Sequence, residues 1–208
     1  MSQNHHQYRA IIFDFGGVLI EWDPRRLYSK FFDGDVCAAE YFLSEIGFAE
    51  WNQQQDKGRP FAVAVAELCK RFPQYTSLIQ AYDERWEESI GGPIQPAVDI
   101  LRSLKQAGHP LYGLSNWSEE KFQIVRPKYA FFDWFEMIMV SGEVRLAKPD
   151  PRIYTIFLNR IGRKAGECLY IDDSDANISI ANQLGFNTIH YCSPGQLKMD
   201  LVDRGLLQ

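Results

Sequence analysis

Apolar residues fall in short unbroken runs at some points of the chain and at helical spacing at others. Residues 9–13 form one such run, which ends at Asp14 with Gly16 and Gly17 close behind. A run too short for a helix, closed by a carboxylate and glycines, predicts a buried strand that stops at a sharp turn. Residues 110–114, 136–140, 168–171 and 187–191 read as further strands. Helical spacing appears between them at 97–106, 117–125, 151–161 and 176–184, with Gly185 as a C-terminal stop. Strands that alternate with helices predict a parallel sheet covered on both faces.

Residues 23–90 follow another pattern. Phe61, Val65, Leu68, Cys69 and Phe72 repeat at helical spacing, and no strand signal interrupts them. This stretch predicts a helical insert. Gly91-Gly92-Pro93-Ile94-Gln95-Pro96 would be the hinge back. The expected division is a core of residues 1–22 and 93–208 and an insert of residues 23–92. No internal repeat or low-complexity segment appears.

Composition narrows the function classes. With 46% hydrophobic residues, the 208-residue chain can bury a sizeable core. The net charge of -5 lacks the basic footprint of nucleic-acid binding. Apolar runs fall far short of the ~20 residues of a membrane span. The polar start of the chain, with His5 and His6, lacks the pattern of a signal peptide. Cys37, Cys69, Cys168 and Cys192 make no C-x-x-C pair, so reduced and mostly buried thiols in a cytoplasmic protein are expected. Aromatics such as Trp134 and Phe135 allow a homodimer as well as a monomer.

Three strands end in polar groups: Asp14, Ser115-Asn116 and Asp172-Asp173. Open α/β sheets bind ligands beyond the carboxyl ends of their strands, where these groups would meet. Three carboxylates at close range repel unless a cation lies among them, and an all-oxygen donor set suits Mg2+. Mn2+ accepts the same ligands. Ser115-Asn116 at a strand-to-helix turn offers an anion site. Lys148, fixed by Pro149-Asp150-Pro151, would balance the charge. Each feature alone has a plainer reading: a helix cap for Asp172-Asp173 or Ser115, a solvated side chain for Lys148.

Their order and spacing point further. Phe13-Asp14-Phe15-Gly16-Gly17-Val18-Leu19, Leu114-Ser115-Asn116, Lys148-Pro149-Asp150-Pro151 and Tyr170-Ile171-Asp172-Asp173-Ser174-Asp175 resemble the four motifs of the haloacid dehalogenase-like superfamily. The helical insert resembles the small cap of its first subclass. The nearest branch by this reading is the bacterial sugar-phosphate phosphatases, which include α-D-glucose-1-phosphate phosphatase. The resemblance implies an α/β fold, with a Rossmann-like three-layer core and an inserted α-helical cap. It implies a Mg2+-dependent phosphatase acting on a small phosphorylated metabolite. Asp14 would attack phosphorus, Ser115 and the Asn116 backbone would bind phosphoryl oxygens, and Lys148 would stabilise the charge. Asp14, the Gly16 carbonyl and Asp173 would hold the metal, with Asp172 ligating it or one of its waters.

Gly16 departs from the pattern. Family phosphatases carry a second aspartate there that protonates the leaving oxygen and then activates water. Such help contributes ~100- to 10,000-fold. Glu21 and Asp23 are candidates to replace it. Trp51, Gln54, Lys57, Arg59 and Trp117 are candidates to contact the rest of the substrate. Two other functions compete: a metal-free 2-haloacid dehalogenase, and a phosphate-ligand binding or interaction protein that has lost catalysis at Gly16.

Overall fold

In the computed structural model, which describes residues 8–208, the first apolar run becomes the middle of a sheet. Residues 1–7, with His5 and His6, lie outside the described residues. Strands β1 (Ala10–Phe13), β4 (Leu111–Ser115), β5 (Met137–Val140), β6 (Cys168–Asp172) and β7 (Asn187–His190) form one parallel sheet in the order β5-β4-β1-β6-β7. β1 is buried along its whole length, which is why it reads as an unbroken apolar run.

Alternation along the strands divides the core into two layers. Ile11, Phe13, Leu111, Leu169 and Ile171 face one side, where helices Gln95–Gln106 and Pro194–Asp203 pack through Leu101, Leu104, Leu197 and Leu201. Ala10, Ile12, Tyr112, Leu114, Cys168 and Tyr170 face the other, against helices Pro151–Ile161 and Asp175–Gln183 through Ile153, Tyr154, Phe157 and Ala181. The result is a three-layer α/β architecture.

Residues 25–84 are helical, with helices Arg25–Tyr28, Val36–Glu45, Phe48–Asp56, Phe61–Arg71 and Thr76–Glu84. Their apolar faces, including Phe42, Phe48, Phe61 and Tyr82, join the first core layer. The expected hinge is not free chain. β2 (Ile20–Trp22) and β3 (Ile90–Pro93) pair antiparallel, so both crossings into the helical segment are held in one ladder. The strand was hidden because two glycines and a proline carry almost no strand propensity, and its pairing rests on backbone groups.

Smaller differences have local causes. The helix expected at 97–106 begins at Gln95, because Pro96 is well tolerated in a first turn. β4 extends to Ser115, and Trp117-Ser118 form a loop before helix Glu119–Val125. Helix Pro194–Asp203 was not read from the sequence; Ser193 caps it by accepting the Gln196 N–H at 3.2 Å. The expectation of mostly buried thiols is corrected: Cys37 and Cys192 are exposed, Cys69 is half-buried, and Cys168 alone is buried. Among the described residues, no helix is long and apolar enough to cross a membrane.

Candidate active site

β1 lies between β4 and β6, so the carboxyl ends of these three strands meet. Asp14 follows β1, Ser115 ends β4 and Asp172 ends β6. Lys148 enters from the loop before helix Pro151–Ile161, with no exposed side-chain surface. Its ammonium lies 2.9 Å from Asp14 Oδ2 and donates to Asp172 Oδ2 at 2.7 Å and to the Leu114 carbonyl at 3.0 Å. Three donors thus meet three acceptors. The Asn116 amide clamps the Lys148 backbone, accepting its N–H at 2.8 Å and donating to its carbonyl at 2.9 Å. That side chain is therefore committed to placing the lysine.

Asp14, Asp172 and Asp173 present oxygens that all lie within 4.8 Å of one another. Asp172 is fully buried, and both its oxygens are taken. Oδ1 accepts Ser174 N–H at 2.9 Å and Asn177 Nδ2 at 2.9 Å; Oδ2 accepts Lys148 and the Tyr170 hydroxyl. Asp14 accepts the Phe15 N–H at 2.7 Å and the Ser115 hydroxyl. Asp173 is the exposed member of the three. It lies over Gly17, where a Cβ would come 2.2 Å from its Oδ2, and Gly17 has φ +74°. A side chain is excluded there on both counts.

The charges report what the cluster lacks. Burial, opposed by Lys148 and helped by Asp172, pushes the Asp14 carboxyl up to about 7. Burial and the Asp172 charge raise Asp173 as well. Burial works against ionisation of Asp172, but the Lys148 charge and the hydrogen bonds it accepts bring it below its usual value. Burial likewise opposes the Lys148 charge, and Asp14 with Asp172 outweighs it. The arrangement is short of positive charge. Oxygen-only donors at this spacing fit a small hard dication such as Mg2+.

Beside the cluster lies a cavity of about 80 Å³. Gly16 and Asn116 reach it from the sheet, and Trp22, Tyr82, Trp86 and Trp117 are among its aromatic walls. The Trp117 indole N–H has no partner and is buried. Of the other residues expected to contact substrate, none lines this cavity. Trp51 is buried and donates its indole N–H to the Ala64 carbonyl at 3.2 Å. Arg59 ties the helical segment together, donating to Gln55 Oε1 at 2.8 Å and to the Trp51 carbonyl at 3.0 Å. Gln54 is exposed. Lys57 lines a second cleft, with Lys148, Asp150 and Arg152. The cavity does contain Asp56, which stood unremarked in the polar stretch 51–59; the only signal was a carboxylate just before Gly58.

A family model of the haloacid dehalogenase-like hydrolases matches residues 8–185. The chain belongs to this family. Sesquiterpene phosphatase of Aspergillus oryzae is 25% identical over 88% of this chain and 89% of its own length. D-ribitol-5-phosphate phosphatase of Bacteroides thetaiotaomicron is 25% identical over 86% of this chain and 90% of its own. The (S)-2-haloacid dehalogenase 4A of Burkholderia cepacia is 26% identical over 68% of this chain and 59% of its own. A family enzyme of Bacteroides thetaiotaomicron, solved with magnesium and inorganic phosphate, superposes with a TM-score of 0.67 at 27% identity, covering 88% of this chain and 93% of that one. The resemblance carried by the four motifs thus holds at the level of the family, and the protein is a hydrolase of that family.

Proposed function

We propose that the protein is a Mg2+-dependent phosphatase that transfers the phosphoryl group of a small ester to Asp14 and then to water. The observation that carries this reading is the three-carboxylate cluster within 4.8 Å, with a fully buried Lys148 bridging Asp14 and Asp172. Such a cluster is built for a dication and a phosphate together. An ester formed on carbon, as in dehalogenation, has no use for so much negative charge.

In this reading Asp14 Oδ attacks phosphorus, and the bond to the alcohol oxygen breaks. The Ser115 hydroxyl and the Asn116 N–H would hold the phosphoryl oxygens. Lys148 holds Asp14 in place and offsets charge on the phosphoryl group. Asp173, Asp14 and the Gly16 carbonyl would hold Mg2+. Asp172, whose oxygens are occupied by protein donors, would contribute its charge to the site while holding Lys148 in place. Bound Mg2+ supplies Lewis acidity and charge neutralisation. Splitting one displacement into two makes each easier.

The helical segment 23–92 acts as a cap whose cavity selects the alcohol. Aromatic walls with a few polar groups suit a small sugar or another compact alcohol with apolar faces. Sugar phosphates therefore lead the substrate classes, in keeping with the D-ribitol-5-phosphate phosphatase relative.

A screen of phosphorylated metabolites with Mg2+, with Asp14→Asn as the blank, tests this. Phosphate release that needs both Mg2+ and Asp14 is expected. Chloride release from 2-chloropropionate in the presence of a chelator would make the protein a dehalogenase instead. Absence of turnover with every ester, despite phosphate binding, would make it a ligand-binding protein.

A further inference from the structure

Gly16 leaves the sheet edge without a group that can protonate a departing alkoxide. Neither nearby carboxylate of the β2 strand region replaces it. Glu21 is half exposed and pairs with Arg26 at 3.4 Å. Asp23 is held by Arg25 at 2.8 Å, and those hydrogen bonds keep its carboxyl below its usual value, so it stays ionised. Neither lines the cavity.

We propose that Asp56, carried by the helical segment, is the general acid and base of this enzyme. The inference rests on the phosphatase reading above. Asp56 is the only carboxyl group among the residues that line the cavity, and it shares that cavity with Gly16 and Asn116.

Its placement is built from both sides. Asp56 ends helix Phe48–Asp56. Its carboxylate accepts the Ser118 N–H from the loop after β4 and faces Asn52 Nδ2 at 3.4 Å. Asn52 in turn accepts the Tyr82 hydroxyl at 3.0 Å. The Asp56 carbonyl accepts the Ser141 hydroxyl at 2.5 Å, and Ser141 Oγ accepts the Trp117 N–H at 2.9 Å. The helix end is thus fastened to the loops after β4 and β5, beside the expected phosphate position. Burial, partly offset by the Ser118 N–H and reinforced by the Asp14 charge, brings the Asp56 carboxyl to about 7. Both protonation states are then accessible near neutral pH, as acid–base exchange requires.

The proton inventory closes. As Asp14 Oδ forms its bond to phosphorus and the P–O bond to the alcohol breaks, the Asp56 proton passes to the leaving oxygen. The products are a neutral alcohol and aspartyl phosphate. The Asp56 carboxylate then takes a proton from water as the water oxygen attacks phosphorus. The P–O bond to Asp14 breaks, inorganic phosphate leaves, and Asp56 is protonated again.

Asp56→Asn, Gly16→Asp and the double variant, assayed with Mg2+ on p-nitrophenyl phosphate and glycerol 2-phosphate, test the assignment. A Cβ at position 16 would meet nothing within 4 Å, so the aspartate can be placed there. The term kcat/KM reports departure of the leaving group. For Asp56→Asn it should fall at least about 100-fold on the alkyl ester, which needs a proton, and less than about 10-fold on the nitrophenyl ester, which leaves as a stable phenolate. On the nitrophenyl ester the variant should also show a burst of phenolate, because attack of water is slowed. Gly16→Asp should restore the alkyl ester by at least about 10-fold in the Asp56→Asn background and much less in the wild type. Asp56→Ser, which also lacks a proton donor, should repeat these losses if the Asn variant folds poorly.

Equal losses on the two esters, or the same Gly16→Asp factor in both backgrounds, would overturn the role of Asp56 and leave the phosphatase reading intact. Failure of the wild type to hydrolyse either ester, or any other phosphate ester, would remove both.

Discussion

Replacing Asp56 with Asn should make the protein more stable, and increasingly so as pH rises. The Asp56 carboxyl is pushed from 3.8 up to about 7 by burial. Between those values the unfolded chain has released a proton that the folded chain still holds, so stability falls with rising pH. Below the unfolded value the residue has no effect; above the folded value the loss is complete. A shift of about three units at 1.36 kcal/mol each sets it at about 4 kcal/mol. Asp56 is only half-buried, which makes that figure an upper bound. Asn removes the titration and keeps the shape. Urea unfolding of both proteins at about pH 5 and about pH 8, with chelator present, should show the variant's advantage growing by up to roughly 2–3 kcal/mol across that window. Any fixed effect of the new amide cancels in the difference. Parallel stability curves for the two proteins would refute a raised Asp56 carboxyl.

Other perturbations follow from the same geometry. Lys148→Met leaves Asp14 and Asp172 buried without a cation; in chelator it should destabilise the fold by roughly 3–5 kcal/mol in urea, and saturating Mg2+ should recover part of that loss. Gly17→Ala would put a Cβ 2.2 Å from Asp173 Oδ2, so Mg2+ affinity by calorimetry should weaken roughly 10- to 100-fold; an unchanged Kd would show that Asp173 does not hold the ion. Gly113→Ala would put a Cβ 2.3 Å from Phe15 Cζ, inside a ring cluster with Phe132 and Phe135. It should destabilise by about 1–3 kcal/mol in urea unfolding without altering Mg2+ affinity.

The sheet and its polar strand ends were legible because they depend on local pattern. The buried central strands β1, β4 and β6 are apolar on both faces, and each runs up to a carboxylate or serine: Asp14, Ser115 and Asp172. Lys148 was legible through the prolines that fix its loop. The β2–β3 pairing was not, since Gly91 and Gly92 present no side-chain alternation and the ladder is formed by backbone groups 68 to 73 residues apart along the chain, from Trp22 with Ile90 to Ile20 with Pro93. Trp51 and Arg59 misled for a related reason. The chain pattern shows which residues are polar or aromatic, but only the folded arrangement shows that Arg59, in the loop after helix Phe48–Asp56, donates to Gln55 Oε1 and the Trp51 carbonyl rather than facing a ligand. Asp56 was hidden by the same limit in reverse. Its chemistry arises from where Ser118, Ser141 and Asn52 place it, and those partners lie on three separate elements.

On the proposed phosphatase reading, the electrostatics also give a reason why a dication would be needed rather than merely accommodated. When ionised, Asp14, Asp172 and Asp173 with Lys148 leave a net charge of about -2 in one pocket. A phosphate monoester approaches as a dianion. At ~5 Å and an effective dielectric of ~20, two such charges repel by roughly 13 kcal/mol. A millimolar substrate gains only about 4 kcal/mol on binding. The ester cannot enter such a pocket unless protons or a cation cancel the charge. Protons can do so, and the raised Asp14 carboxyl is the sign that they would, but a protonated Asp14 is no nucleophile. A dication held by these carboxylates would bring the cluster to neutrality with Asp14 ionised. In the proposed reaction, charge neutralisation of this kind would remove the repulsion while leaving Asp14 ionised for attack.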